Sequence, residues 1–473
     1  MHVLEQVLSF MAETSVEAYF VGGIVRDELM QRPVKRDIDL AIDGDAVELA
    51  RAFADTHGGA FYLMDEEHNV ARVILAETYI DFAQLRGSLR EDLGTRDFTI
   101  NAMARQLGSH ELTDPFHGQK HLETKQVCAV SDDVFNNDPV RLLRAVRFAG
   151  ELGFVIGAHT EKLMQRDAHL LAFASMERAR DELYKILALA DPLTALRQMD
   201  NLGLLAALLP QVNALKGITQ SAPHVYDVFE HTLRVVDELV KIQARGYTEV
   251  ANDEFVTELQ SHMTELVSAY RERGIVLRLA ALLHDIGKAT TRSVADDGKI
   301  HFYEHEPRGA EMSEEILRRL RFSNTEIEII KTVITHHLRP AQLARDSLIT
   351  NRAAYRFFRD TGDAGIDTCM VALADWRGKT APKIDIERDA KQRATNAILL
   401  NRYYRATETV IAPPALIDGN GLMAELKLKP GKHIGELLEA IREAQAAGEV
   451  KSRDEALAFA RNEITTKTQR HEE

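Results

Sequence analysis

The sequence predicts an α+β multidomain protein, and three observations carry that expectation. The first roughly 130 residues break into short apolar or alternating runs bounded by Gly, Asp or Asn, which is how strands read. After about residue 136 the apolar positions recur three and four apart, which is how helices read. At 473 residues the chain is too long for one hydrophobic core.

In chain order, "EAYFVGG" (17–23), "DIDLAI" (37–42), "GAFYLMD" (59–65), "VARVILA" (70–76) and "TYIDFAQL" (78–85) are the expected strands. Between the second and third, "AVELARAFADTHGG" (46–59) has helical spacing and stops at glycines. "PVRLLRAVRFAGELGF" (139–154), "ASMERARDELYKILALA" (174–190) and "LTALRQMDNLGLLAALL" (193–209) are expected helices. "QSAPH" (220–224), "KTAPK" (379–383) and "VIAPPALIDGNG" (410–421) are breaks between helical stretches. There is no internal repeat and no low-complexity tract.

Composition narrows the class. Hydrophobic residues make up 45% and charged residues 28%, ordinary for a globular protein. No run approaches the roughly 20 apolar residues of a membrane helix, and the N-terminus lacks a signal-peptide layout. With Cys128 and Cys369 the sole cysteines, neither a disulfide framework nor a thiolate zinc site is indicated. A cytoplasmic protein with no membrane partner is expected. A net charge of −15 disfavours indiscriminate phosphate-backbone binding. Residues 376–405 run the other way, with eight Lys or Arg against three Asp or Glu.

The stretch "GGIVRDELMQRPVKRDIDLAI" (22–42) poses a chemical question. Residues two apart on a strand share a face, so Asp37 and Asp39 project together. Like charges that close repel unless a cation bridges them, and hard oxygen ligands favour Mg²⁺. Asp81, on another expected strand, is a candidate third carboxylate. Acids around metals suit in-line phosphoryl or nucleotidyl transfer. Gly22 and Gly23 permit close backbone approach at a strand-to-helix turn, and Arg26 adds a charged donor.

"VGGIVRD", "RDIDLAI" and "TRDFTINAMA" (95–104) resemble the head of the bacterial tRNA nucleotidyltransferase and poly(A) polymerase family, within the polymerase β-like superfamily. "DPFHGQKHLETKQV" (114–127), "NNDPVRLLRAVRFAGELGF" (136–154) and "ASMERARDEL" (174–183) continue the resemblance in order, and it reappears near the C-terminus. It implies that Asp37 and Asp39 hold catalytic metals and that Asp81 activates the RNA 3′-hydroxyl. It further implies that Gly23 and Arg26 contact the triphosphate, with Gly22 beside them, and that Arg96, Asp97 and Asn101 handle sugar and phosphate.

Asp138, Arg141 and Arg144 recur at three-residue spacing where "NDPVRLLR" is expected to open a helix, hence on roughly one face. A carboxylate accepts from the exocyclic amine of C or A, and an arginine donates to the ring nitrogen or the cytosine carbonyl. This resembles the family's side-chain template for choosing CTP and ATP. The family usually reads Glu-Asp-x-x-Arg there; this chain has Asn137 in place of the Glu.

"LLHDIGK" (282–288) puts His284 and Asp285 at the end of an apolar helix. Further ligands for one divalent ion are available at His231, at His305 with His301 as substitute, at His336 or its neighbour His337, and at Asp375; His336 is the expected member of that pair. His with carboxylate suits a divalent transition metal or Mg²⁺. These stations in order resemble the HD phosphohydrolase superfamily, which cleaves phosphoesters with metal-activated water.

The resemblances together imply a nucleotidyltransferase head (1–135), a helical neck with the nucleotide-selecting strip (136–205), an HD domain (206–380) and a helical tRNA-binding tail (381–473). The expected activity is addition of CMP, with AMP as a further substrate, to tRNA 3′ ends, alongside phosphohydrolase repair of damaged ends. Alternatives are a poly(A) polymerase, or a phosphohydrolase with a nucleotide-sensing head. Only 14 residues, 82–95, separate Asp81 from Arg96. Family members that build the whole CCA end carry a longer segment there, so the short one implies a CC-adding enzyme working before a separate A-adding enzyme.

Overall fold

The computed structural model describes residues 3–33, 37–109, 111–345, 348–380 and 382–472, with side chains as far as 465. The chain folds as two compact units, residues 1–189 with 194–208, and residues 190–193 with 209–473.

In the first unit, β1 (Ala18–Val21), β2 (Asp37–Ile42), β3 (Ala60–Asp65), β4 (Val70–Leu75), β5 (Thr78–Gln84), β6 (Ala104–Gln106) and β7 (Leu112–Thr113) form one sheet in the order β3-β4-β5-β2-β1-β6-β7. Every neighbouring pair is antiparallel except β2 and β5, which run parallel. The five strands expected from the sequence are present; β6 and β7 are too short to stand out by alternation. Ile38, Leu40 and Ile42 alternate into a core with Phe20, Phe53, Val73 and Phe82. Phe53 comes from the helix Ala46–His57. Asp45 caps that helix by accepting from the Glu48 amide, and Gly58 ends it in the left-handed region.

After the sheet, the helix Arg141–Leu152 buries Leu142, Leu143, Val146 and Phe148 and packs on the helix Met176–Leu187. Asp138 is not in that helix. It lies in extended backbone between the helices Val134–Asn137 and Arg141–Leu152. Pro139 pushes its predecessor out of helical conformation, and the Asp138 carboxylate accepts from the Val140 amide at 3.2 Å.

In the second unit, the helices Val228–Ala244, Arg273–Leu283, Asn324–His336 and Ala364–Gly378 pack around one buried centre. Two small hairpins interrupt this half, expected to be almost wholly helical: Leu266–Ser268 with Arg271–Glu272, and Arg292–Val294 with Ile300–Phe302. The second turns through Gly298, at φ 80°, in a "DDG" sequence that is itself a hairpin signal. The C-terminal helices bury Leu422, Leu437, Ile441 and Ala460 in a small core of their own. Among the described residues no helix is long and apolar enough to cross a membrane.

Candidate functional site

The parallel pair β2–β5 sets Asp39 directly beside Asp81 and Asp37 beside Tyr79. In-register neighbours share a face, so the three carboxylates project together, opposite the buried Ile38 and Leu40. Burial pushes the Asp39 carboxyl up to about 6; the charges of Asp81 and Asp37 add to the rise and Arg96 opposes it. Gly22 has φ +74°, and a Cβ there would stand 3.0 Å from Asp39 Oδ2 and 3.1 Å from Arg96 NH1. Only glycine fits between the carboxylate and the guanidinium. Asp81 is clasped by Arg72, Nε to Oδ1 at 2.6 Å and NH2 to Oδ2 at 2.7 Å.

Next to these acids lies a cavity of about 330 Å³ whose walls include Gly22, Asp39, Arg96, Asp138, Arg141 and Arg178. Arg178 donates to both oxygens of Asp138, at 3.1 and 2.7 Å. Arg141 stands 3.8 Å from Asp138 and is oriented by the carbonyls of Thr95 at 2.7 Å and Arg96 at 3.2 Å. Asn137, in place of the family's Glu, is exposed, and backbone carbonyls aim Arg141.

Arg144, Asp97, Asn101 and Arg26 form a chain of hydrogen bonds behind the cavity. Arg144 donates to Asp97 Oδ2 at 2.8 and 2.6 Å, Asn101 to Asp97 Oδ1 at 3.0 Å, and Arg26 NH1 to Asn101 Oδ1 at 2.7 Å. Burial opposes ionisation of Asp97, yet Arg144 and Asn101 hold its carboxyl below the usual range. Asp97, Asn101 and Arg144 border the cavity. Arg26 and Gly23 line a smaller one of about 190 Å³ with Asp37 and Asp39.

The second unit holds a buried cluster. His231 Nε2 lies 3.0 Å from Asp375 Oδ1 and 3.5 Å from Asp285 Oδ2; His284 Nε2 lies 3.2 Å from Asp285 Oδ2. His305 Nε2 and His337 Nε2 approach Asp285 Oδ1 at 3.5 and 3.9 Å. His284, His305 and His337 each turn Nδ1 to the carbonyl three residues earlier, at 2.8, 2.7 and 2.7 Å. Donation there leaves Nε2 as the free lone pair, the arrangement of metal-bound imidazoles. Among the described residues, His231 Nε2, His284 Nε2 and Asp285 Oδ1 are buried without a hydrogen-bond partner. Orphaned acceptors converging from both sides fit one divalent cation. Lys288 and Lys379 supply the positive charge, 2.7 Å from Asp285 and 2.9 Å from Asp375.

Two details of the cluster differ from expectation. The residue that enters it is His337, not His336: successive residues at a helix end point about 100° apart, and only His337 is fully enclosed. His336 is half-buried and faces the charges of Arg339 and Asp360. His301 lies in the hairpin, stacked on Tyr303 at 5.1 Å, so the position belongs to His305. Gly287 permits the close approach of the His305 backbone, since a Cβ there would collide with the His305 carbonyl.

The family model described as the poly A polymerase head domain matches residues 18–89 and 86–128, and that of the HD domain matches 228–377. The chain is 34% identical to the A-adding tRNA nucleotidyltransferase of Deinococcus radiodurans over 93% of its own length and 94% of that protein's. The chain belongs to the tRNA nucleotidyltransferase family. It is also 30% identical to the CC-adding tRNA nucleotidyltransferase of Thermus thermophilus, covering 96% of this chain and 95% of that one. A CCA-adding enzyme solved with CTP shares its fold, with TM-score 0.65 at 22% identity over 98% of this chain and 95% of that one. Nucleotidyltransferase heads and HD domains are divalent-metal domains, and both donor sets here suit such ions.

Several residues escaped the sequence reading. Arg72 was findable: the two-residue turn Ala76-Glu77 between Leu75 and Thr78 fixes a register that puts Arg72 opposite Asp81. Arg178 lies forty residues beyond Asp138 with no periodic signal linking them. Lys288, within "HDIGK", had a local one, since positions three apart on a turn meet.

Proposed function

We propose that the head transfers CMP from CTP to the 3′ end of tRNA and releases pyrophosphate. The observation that carries this is the meeting of Asp37, Asp39 and Asp81 beside a cavity walled by arginines. Asp37 and Asp39 would hold Mg²⁺, which would neutralise phosphate charge and sharpen the attacking hydroxyl. Asp81 orients that hydroxyl and takes its proton. Gly22 and Gly23 let the triphosphate lie against the backbone, and Arg96 and Arg144 face its phosphates. Asp138 accepts from the base's exocyclic amine while Arg141 donates to its ring edge. Arg178 holds Asp138 in place yet leaves it lone pairs to spare. The tail grips tRNA; the boundaries proposed are 1–135, 136–205, 206–380 and 381–473, in a cytoplasmic protein.

The segment 82–95 favours CC addition. Its helix Leu89–Gly94 is closed by a Ser88–Glu91 capping box and anchored by fully buried Leu93. A segment so tied has little freedom to reshape the pocket for ATP, so a separate A-adding enzyme would finish the end. A-only addition is the second reading, favoured by the 34% identity to an A-adding relative. The test is a tRNA ending at the discriminator base, incubated with CTP and ATP and run on a sequencing gel. Two added cytidines support the first reading, and AMP added only to a tRNA ending in CC supports the second.

For the second unit we infer a phosphohydrolase acting on 3′-terminal phosphate or 2′,3′-cyclic phosphate. His231, His284, Asp285, His305, His337 and Asp375 are the proposed ligands, with Lys288 placed to meet phosphate. Opening of a 2′,3′-cyclic nucleotide to its monophosphate, or phosphate release from a nucleoside 3′-monophosphate, in Mn, Ni, Co or Mg tests it; neither reaction with any of them retires it.

A further inference from the structure

The strand pairings that gather the three carboxylates of the head continue past them. Asp39 faces Asp81 on β5, Asp81 faces Arg72 on β4, and Arg72 faces Tyr62 on β3, so one row crosses four strands on one face of the sheet. Tyr79, two residues before Asp81, shares that face and lies beside Asp37. The opposite face is closed, with Val73, Ile80 and Phe82 fully buried in the core that Phe53 of the helix Ala46–His57 enters.

The face that carries the acids is open. Tyr79 is 40% exposed and Tyr62 50%, with Met64, 54% exposed, beside them on the edge strand of the sheet. Arg72 between the two rings is already engaged, by its ion pair with Asp81 and by the Tyr79 ring, whose centre lies 5.3 Å from its guanidinium. What remains to be contacted here is aromatic surface.

Position says what covers it. The larger cavity of the head reaches Asp39 from the side of β1, at Gly22 and Arg96, whereas Asp81 stands on the β5 side of Asp39. A triphosphate entering from the β1 side must be attacked by a hydroxyl arriving from the other, across β4 and β5. Tyr79 lies two residues along the strand from Asp81, roughly 7 Å, and Tyr62 lies two strand spacings away, roughly 10 Å. Both are within reach of the last nucleotides of a strand whose terminal hydroxyl is at Asp81.

The chemistry of that strand fits rings better than a hydrogen-bonding pocket. Its end changes identity as it grows: the first CMP joins whichever base ends the transcript, and the second joins a cytidine. A surface that accepts every such end must use what all bases share, and every base has a π-face. A chain of net charge −15 is also poorly suited to holding the strand by its phosphates alone.

We propose that Tyr79 and Tyr62 form a stacking platform for the unpaired 3′ end of the RNA, Tyr79 under the terminal base and Tyr62 under the base before it. The inference rests on the transferase reading of the head and adds the residues that hold the growing strand.

The test uses a tRNA transcript ending one cytidine beyond its discriminator base, so that the last two bases are unpaired. It is compared with the same transcript made abasic at its last nucleotide, which keeps the attacking hydroxyl. With full-length wild type, loss of the base is expected to raise the KM for RNA at least about fivefold, as removal of one stacked base does elsewhere. Tyr79→Ala raises the KM for the intact transcript by a similar factor and is then nearly indifferent to loss of the base, because partners in contact do not add. Tyr79→Phe, which keeps the ring, restores both the KM and the sensitivity to the base. Tyr62→Ala behaves likewise towards a transcript abasic at the preceding nucleotide, and the KM for CTP stays as in wild type throughout. Effects of ring and base that simply add, a wild-type KM for RNA in both alanine variants, or a rise in the KM for CTP instead, overturns the proposal. Filter retention of the same transcripts without CTP or metal reads the same overlap. A wild type that transfers no CMP therefore retires the transferase reading, and the retention series alone then decides the platform.

Discussion

Arg72 and Asp81 sit opposite one another on β4 and β5 and share a two-point ion pair, 2.6 and 2.7 Å, at the edge of the carboxylate triad. Arg72 therefore does two jobs in the head. It fixes the rotamer of Asp81, and its charge offsets part of the repulsion among Asp37, Asp39 and Asp81.

Replacing Arg72 separates those jobs. In Arg72→Ala the triad becomes more negative and Asp81 loses its aim. The expected outcome is a kcat for CMP addition lower by about tenfold or more, with half-saturation at lower Mg²⁺. A magnesium titration of CMP incorporation reads both; an unchanged kcat would show that Asp81 needs no orientation.

Asp39 carries a pH-dependent cost. Its carboxyl stands at about 6 in the folded chain, above the ordinary aspartate range, so the folded state binds the proton more tightly than the unfolded. Ionised Asp39 thus opposes folding above pH 6, and the cost fades as pH falls towards 4. Asp39→Asn stabilises the metal-free head by about 1–3 kcal/mol at pH 7.5 and by little at pH 4. Thermal melts in a chelator at both values check the sign; equal gains at both would contradict it.

The two adjacent histidines give a sharp contrast. His337→Ala deletes a nitrogen 3.9 Å from Asp285 Oδ1, while His336→Ala changes a half-buried ring outside the cluster. Manganese or nickel retention after dialysis falls in the first variant and holds in the second. Equal losses would place both rings at the metal.

Base choice is expected to divide between two arginines. Arg141→Ala removes the donor aimed by the Thr95 and Arg96 carbonyls and raises UMP or GMP misincorporation, for a discrimination of about 1–3 kcal/mol. Arg178→Ala unclamps Asp138 and relaxes choice between C and its competitors to a smaller degree. Competition assays with mixed triphosphates measure both. A uniform loss of rate with selectivity intact would make Arg141 a phosphate ligand.

The head was legible because its chemistry is local. Alternation put Asp37 and Asp39 on one face, and the strand runs fixed five of the seven strands. The HD stations were readable as a set, but choosing His337 over His336 needed the phase of a helix end, which no pattern of apolar residues specifies to one residue. Asp138 was assigned to a helix on spacing, while Pro139 holds it in extended backbone ahead of the first turn.

The most direct measurement is transfer of labelled CMP to a tRNA transcript ending at its discriminator base, by wild type and by Asp39→Ala, with opening of a 2′,3′-cyclic nucleotide to its monophosphate followed in parallel. The account predicts that wild type lengthens the transcript by two cytidines, that Asp39→Ala adds none, and that the cyclic-phosphate activity is equal in both. A wild type that leaves the transcript unextended with CTP and ATP both present would contradict it.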